Sequence, residues 1–426
     1  AGPRWAEMSP ELRADCLDRV AALLLERADQ LGELLSREEG KPRAEGRGEV
    51  VRAARIFRYF AGEALRRHGY TLDSVRTGVE TQTHREALGV VGLITPWNFP
   101  IAIPAWKTAP ALAFGNSVVM KAAALTSAIA SGLAEAIHDA GVPDGVFNLI
   151  FVRGSVAGGL ARDPRVAAIS FTGSAGVGRG LAAEAVANGK RVQLEMGGKN
   201  PLVILDDADL DRATTVALDG AYFGSGQRCT ASSRLIVTEG IHDRFVAALA
   251  ERLTRLRVGH ALAPDTDIGP VSSQEQVDTV QSHLDRARGD GATLVIGGER
   301  LKRETEGYYL APALLADTKS SMRINQEEIF GPVASVVRVR NYEEALEVTN
   351  DVEFGLSAGI VTNSLQYAHD FRRRARAGMV MINVPTAGVD YHMPFGGTKA
   401  SSYGPREQGF AAVEFYTQSK TSYFAC

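Results

Sequence analysis

Three side chains in this sequence combine reactive chemistry with an unusual setting. Cys229 lies in GSGQRCT (residues 224–230), a glycine- and serine-rich turn after a helical stretch, with Arg228 beside it. A thiol next to a positive charge in a polar loop can have a lowered pKa, and the thiolate is the nucleophile. The same residue would also fit an inert buried thiol. Glu195 ends an apolar run in LEMGGKNP (residues 194–201). Carboxylates are seldom buried unpaired. A partly desolvated one has a raised pKa and suits a general base acting on water. The two glycines that follow let another backbone or a ligand come close. A salt bridge to Lys199, or a helix cap, would explain the same glutamate. Asn98 stands in TPWNFP (residues 95–100), just past a strand-like run. Its amide can donate to an oxyanion, or close an Asx-turn between two prolines.

Other segments suit a dinucleotide. FTGSAGVG (residues 171–178) joins a strand to a helix, and a helix N-terminus offers free N–H groups to a pyrophosphate. Its glycine spacing is not the usual Gly-x-Gly-x-x-Gly. Lys121 closes another strand, where it reaches for ribose hydroxyls or is a solvated surface lysine. In EEIFGP (residues 327–332), Glu328 could hold a second ribose and Phe330 pack on a ring. The alternative is a charged turn followed by a core aromatic.

Elements must hold these groups in place. Apolar residues recurring from Leu12 to Leu31 predict one helix over residues 9–40, with Ser9 as N-cap, Pro10 at its first position and Gly40 past its end. A second helix is expected from about Arg47 to Arg67. After a polar stretch, short β-rich runs alternate with alanine-rich helical ones: Gly89–Thr95, Ser117–Lys121, Val146–Phe151, Ala167–Thr172 and Val192–Met196 as strands. A second series follows from about Lys199. Such alternation argues for mainly parallel, doubly wound sheets. Ligands bind such sheets at the carboxyl ends of the strands, which is where Asn98, Lys121, Ser174 and Glu195 fall.

At 426 residues the chain is too long for one simple core. Its 47 basic and 50 acidic residues leave no basic surplus for nucleic acid. Three cysteines (Cys16, Cys229, Cys426) make no disulfide framework and fit a reducing, cytoplasmic compartment. Cys16 falls on a helix's apolar stripe and reads as core; Cys426 has no assigned role. The histidines, His68 among them, are scattered without metal-ligand spacing, so no metal site is expected. Residues 87–106 carry no charge, but Pro96, Asn98, Pro100 and Pro104 would leave backbone groups unsatisfied in lipid. The stretch reads as a buried strand, a loop and the start of a helix.

Taken in order, TPWNFP, FTGS, LEMGGKNP, GQRCT, EEIFGP and PFGG (residues 394–397) closely resemble the aldehyde dehydrogenase superfamily over almost the whole chain. The resemblance implies an α/β fold with two doubly wound domains and a small β oligomerisation arm. It implies a cofactor-binding domain over residues 1–68 and 89–198, a catalytic domain over 199–400, and an arm from 69–88 and 401–426. It implies that Cys229 is the catalytic thiol, Glu195 the general base, and Asn98 with the Cys229 N–H the oxyanion hole. Thr95, Trp97, Lys121, Ala124, Gly173, Ser174, Gln276, Glu328 and Phe330 would bind NAD or NADP. A homodimer or homotetramer would follow. The alternatives are transfer of the acyl group to coenzyme A, against which Glu195 argues, and an inactive binding or structural protein on the same scaffold.

Two stretches, residues 92–111 and 388–409, are similar to the α-ketoglutaric semialdehyde branch, though succinate and other semialdehyde dehydrogenases share much of them. The implied substrate is an anionic semialdehyde, with Arg228 as a partner for its distal carboxylate. Two features depart from the family pattern. After Lys121, Ala124 stands where the family carries Glu, or Ser in NADP-using members, so NADP is favoured. The chain also begins at Ala1, where family members carry a longer leading segment. That difference is expected to loosen the cofactor domain or an intersubunit contact.

Overall fold

The computed structural model describes residues 1–66 and 69–425. His68, the expected helix end at Arg67, and Cys426 lie outside the described residues. Ser9 caps the first long helix, its Oγ accepting from the Glu11 N–H at 3.2 Å. The helix expected over residues 9–40 is two helices, Pro10–Glu26 and Ala28–Glu39. The break falls at Arg27, whose backbone leaves the helical region (φ −92°, ψ 10°). Bending there lets Leu17, Val20 and Leu24 on one piece, and Leu31 and Leu35 on the other, bury in one core with Val50, Phe57 and Phe60. Those partners lie on Arg43–Ala64, which starts straight after Pro42 and ahead of the expected Arg47. Gly40 ends the second piece with φ +99°, a conformation that favours glycine. Cys16 is buried on the apolar stripe.

Two sheets carry the rest. The first has six strands: five run parallel, with Val90–Ile94 between Ser117–Lys121 and Val166–Thr172, then Phe147–Ile150 on one side and Arg191–Glu195 on the other, and a short sixth, Ser402–Tyr403, lies antiparallel at the edge beside Arg191–Glu195. The second has seven, six of them parallel around Asn200–Ile204 and Ser232–Thr238, with Thr293–Ile296 antiparallel at one edge. Val91, Leu93, Leu202, Val203 and Ile204 are all buried, the continuous apolar signature of strands covered on both faces. The fold is thus the expected doubly wound α/β pair. Residues 87–106 form a strand, a loop and a helix start (Ala102–Ala113) as read, and no described helix is long and apolar enough to cross a membrane.

A third sheet of three strands joins Thr71–Asp73, Val79–Ala87 and Thr417–Ala425. Only the end of residues 401–426 belongs to it. Ser402–Tyr403 pairs antiparallel with Arg191–Glu195 in the first sheet, and Ala412, Phe415 and Tyr416 enter the large helical core. These residues have apolar surface to bury, whereas Thr417–Ala425 is mostly exposed.

Candidate active site

The first sheet lines up most of the chemically suggestive residues. Its register sets Ile94 beside both Lys121 and Phe171, and Thr172 beside Glu195. Thr95, Lys121, Gly173 and Glu195 therefore share one row at the carboxyl ends of neighbouring strands. Two backbone bonds tie that row: the Thr95 N–H to the Lys121 carbonyl (3.2 Å) and the Gly173 N–H to the Glu195 carbonyl (3.1 Å).

Cys229 comes from the second sheet, in the loop between Leu210–Ala221 and Ser232–Thr238. The loop is contorted, with Ser225 at φ +55°, a sparsely populated region for a non-glycine residue. Its Oγ donates to the Gly269 carbonyl at 2.9 Å and holds the turn. Asn200 Nδ2 donates to the Cys229 carbonyl at 2.8 Å. The glycine pair after Glu195 lets these pieces meet. A Cβ on Gly198 would lie 2.7 Å from the Cys229 carbonyl oxygen, so only glycine fits there without displacement.

Asn98 bridges the two loops, its Nδ2 donating to the Gln227 carbonyl at 3.0 Å. The Lys41 ammonium donates to the Asn98 carbonyl at 2.8 Å. An amide carries two N–H donors, so one remains beyond the bridge.

The electrostatics correct one expectation. Arg228 does not acidify Cys229. Its guanidinium donates to the Phe223 carbonyl (2.8 Å) and the Asp219 carbonyl (3.1 Å). The Cys229 thiol is instead pushed up to about 12, first by burial and then by the negative charges of Glu328 and Glu195. The N–H groups of Cys229 and Thr230 favour the thiolate without offsetting that burial.

Glu195 is buried, and burial followed by the charge of Glu407 raises its carboxyl well above the usual range. Ser402 Oγ donates to it at 2.5 Å. It does not pair with Lys199: the Lys199 ammonium is buried without a hydrogen-bond partner among the described residues, and burial lowers its pKa to about 7. Glu328 accepts from the Gly198 N–H at 2.8 Å, and burial raises it to about 7.

Several groups around Glu195 were not foreseen. Lys107, fully buried, pairs with Glu407 and donates to Ser170 at 2.7 Å. Ser170 in turn donates to Gln193 Oε1 at 2.6 Å. The available signal was one lysine inside the otherwise uncharged helix Ala102–Ala113. Nothing local marks Glu407 or Ser402.

Of the residues anticipated for a dinucleotide, Thr95, Lys121 and Gly173 lie in this row and Ser174 follows directly. Ser174 precedes the 13-residue helix Ala175–Ala187 and makes no side-chain cap bond. Thr95 Oγ1 and Thr172 Oγ1 are buried without partners. The Lys121 side chain makes no hydrogen bond or ion pair with any described residue, and burial lowers its pKa. Trp97 meets Phe330 edge to face at 5.5 Å. Gln276 donates to the Ile329 (2.8 Å) and Phe330 (3.0 Å) carbonyls, holding Phe330 at its positive φ of 59°. Ala124 is exposed at the start of the turn after Lys121. Orphaned hydroxyls, a free helix N-terminus and an unpartnered lysine at one sheet edge are what a phosphate-and-ribose ligand would satisfy.

The aldehyde dehydrogenase family profile matches residues 1–422. This chain belongs to that family. It is an NAD(P)-dependent aldehyde dehydrogenase. The dehydrogenase is 43% identical over 420 residues to the α-ketoglutaric semialdehyde dehydrogenase of Bacillus subtilis, covering 98% of this chain and 86% of that one. It is 42% identical over 427 residues to the α-ketoglutarate semialdehyde dehydrogenase of Haloferax volcanii, covering 99% and 88%. Its fold matches the betaine aldehyde dehydrogenase of Staphylococcus aureus in complex with NAD+ at a TM-score of 0.96 and 35% identity, covering 99% and 84%.

Proposed function

We propose that this dehydrogenase oxidises an anionic semialdehyde, with α-ketoglutaric semialdehyde the leading case, to the carboxylic acid, and that it prefers NADP. One observation carries the chemistry: Glu195 and Glu328 both act electrostatically on the Cys229 thiol, so nucleophile and carboxylates share one buried space. Glu195, its carboxyl held high by burial, receives the thiol proton, and the thiolate adds to the aldehyde carbon. The free N–H of Asn98 and the Cys229 N–H hold the oxygen as negative charge develops. NAD(P) supplies the hydride acceptor. Loss of that hydride from the thiohemiacetal carbon would leave a thioester on Cys229. Glu195 gives the thiol proton up to solvent and, again a carboxylate, takes a proton from water as the water oxygen adds to the thioester carbon; the C–S bond then breaks, returning the thiolate and releasing the acid.

For the cofactor, the Ala175–Ala187 N-terminus with Gly173 and Ser174 would take the pyrophosphate. Lys121 and Glu328 would take the riboses, and Thr95, Trp97 and Phe330 would wall the pocket. Gln276 is better read as positioning Phe330 than as touching the ligand. Ala124 offers no carboxylate to repel a 2′-phosphate. On this reading the cofactor lies in residues 1–68 and 89–198, the thiol in 199–400, and the three-stranded arm assembles cytoplasmic dimers or tetramers. The test is a panel of semialdehydes and neutral aldehydes assayed with NAD and NADP. The expected result is the highest kcat/KM for α-ketoglutaric semialdehyde with NADP; higher values for neutral aldehydes would overturn the substrate assignment.

A further inference from the structure

A cavity of about 490 Å³ is bordered by Asn98, Phe99, Gln227 and Arg228, the last being the residue before Cys229. Three cations line it, and two are committed. Lys41 donates to Glu49 Oε2 at 2.7 Å and to the Asn98 carbonyl. Arg228 donates to two backbone carbonyls. The third is Arg52, on Arg43–Ala64. It makes no hydrogen bond and no ion pair with any described residue, and its Nε is buried without a partner. Its guanidinium nevertheless interacts electrostatically with the Cys229 thiol.

The nearby carboxylates do not neutralise it by contact. Glu49, one turn earlier on the same helix, spends Oε2 on Lys41 and Oε1 on the N–H groups of Ile101 (3.0 Å) and Ala102 (3.1 Å). Asp390 acts on Arg52 only through space. Glu39, Glu45 and Asp219 also line the cavity, and all three act on Arg228. An unpaired guanidinium in a partly desolvated cavity is costly unless an anion completes it. Its planar fork matches a carboxylate in two-point contact.

We infer that Arg52 is the residue that selects the substrate, receiving the distal carboxylate of the semialdehyde while its aldehyde end meets Cys229. This inference rests on the semialdehyde reading above. It replaces Arg228, whose guanidinium is already tied to the backbone.

The experiment compares α-ketoglutaric semialdehyde with pentanal, a neutral aldehyde of similar length, in wild type, Arg52→Met and Arg52→Lys. In Arg52→Met the ratio of kcat/KM for the semialdehyde to that for pentanal falls about 10- to 100-fold, the loss lying mainly in KM. Arg52→Lys keeps the charge but not the fork, so its ratio lies between wild type and Arg52→Met. It also carries the test if the Met variant does not fold. Competitive inhibition by glutarate weakens in parallel. If wild type prefers the semialdehyde and the variants keep that preference, the Arg52 assignment is wrong and the semialdehyde reading stands. If wild type shows no preference, both fall.

Discussion

At the residue scale the site poses an acid–base problem. A thiol at about 12 beside two carboxylates is a poor nucleophile until its proton has somewhere to go. Glu195 is the group placed to take it. Because its carboxyl is raised, it is protonated and idle at low pH and becomes competent only as pH climbs through that elevated value. Turnover should therefore rise with pH along an acid limb set by Glu195. Glu407 contributes to the raised value by repulsion, so Glu407→Gln should move that limb to lower pH. A pH–kcat profile checks the sign, and an unmoved or upward-shifted limb would contradict it. Asn98→Ala removes one oxyanion donor and should lower kcat about 100- to 1000-fold, measured with the fold verified by circular dichroism. Ala124→Glu should shift the ratio of kcat/KM values from NADP towards NAD; an unchanged ratio would refute the NADP preference.

At the scale of elements, the strand ends and the two loops were legible and the side-chain directions were not. Short apolar runs in the sequence alone put Lys121, Ser174 and Glu195 at strand ends, because buried parallel strands read as such runs. Arg228 looked like an activator of Cys229 because sequence shows adjacency but not where a guanidinium points. Glu407 lies 300 residues from Lys107, and no local pattern connects them. The break at Arg27 leaves no mark in the sequence because the apolar period runs on through it. Element packing also yields stability predictions. Trp5 is buried, and its indole N–H donates to the Leu112 carbonyl at 3.0 Å. Trp5→Ala should destabilise the protein by about 3–5 kcal/mol, read from urea unfolding. Gly198→Ala would press a methyl against the Cys229 carbonyl. It should cut kcat/KM sharply at a cost of about 1–3 kcal/mol in stability.

For the whole molecule, the family was legible because its motifs keep their order across the chain, whereas assembly was not. The three-stranded sheet carries Leu72, Tyr423 and Phe424 exposed, and three strands on their own bury little. If the arm joins subunits, Leu72→Lys with Tyr423→Lys should yield monomers by light scattering, and an unchanged mass would remove the arm from the interface. The most direct test of the central claim is the mass of the whole chain during turnover. In Glu195→Gln, water activation fails while acyl transfer to sulfur can still occur slowly. Mixed with α-ketoglutaric semialdehyde and NADP, this variant should gain one acyl group, mapped by peptide mass to Cys229, with one equivalent of reduced cofactor. Cofactor reduction with no adduct, or an adduct on Cys16, would contradict the account.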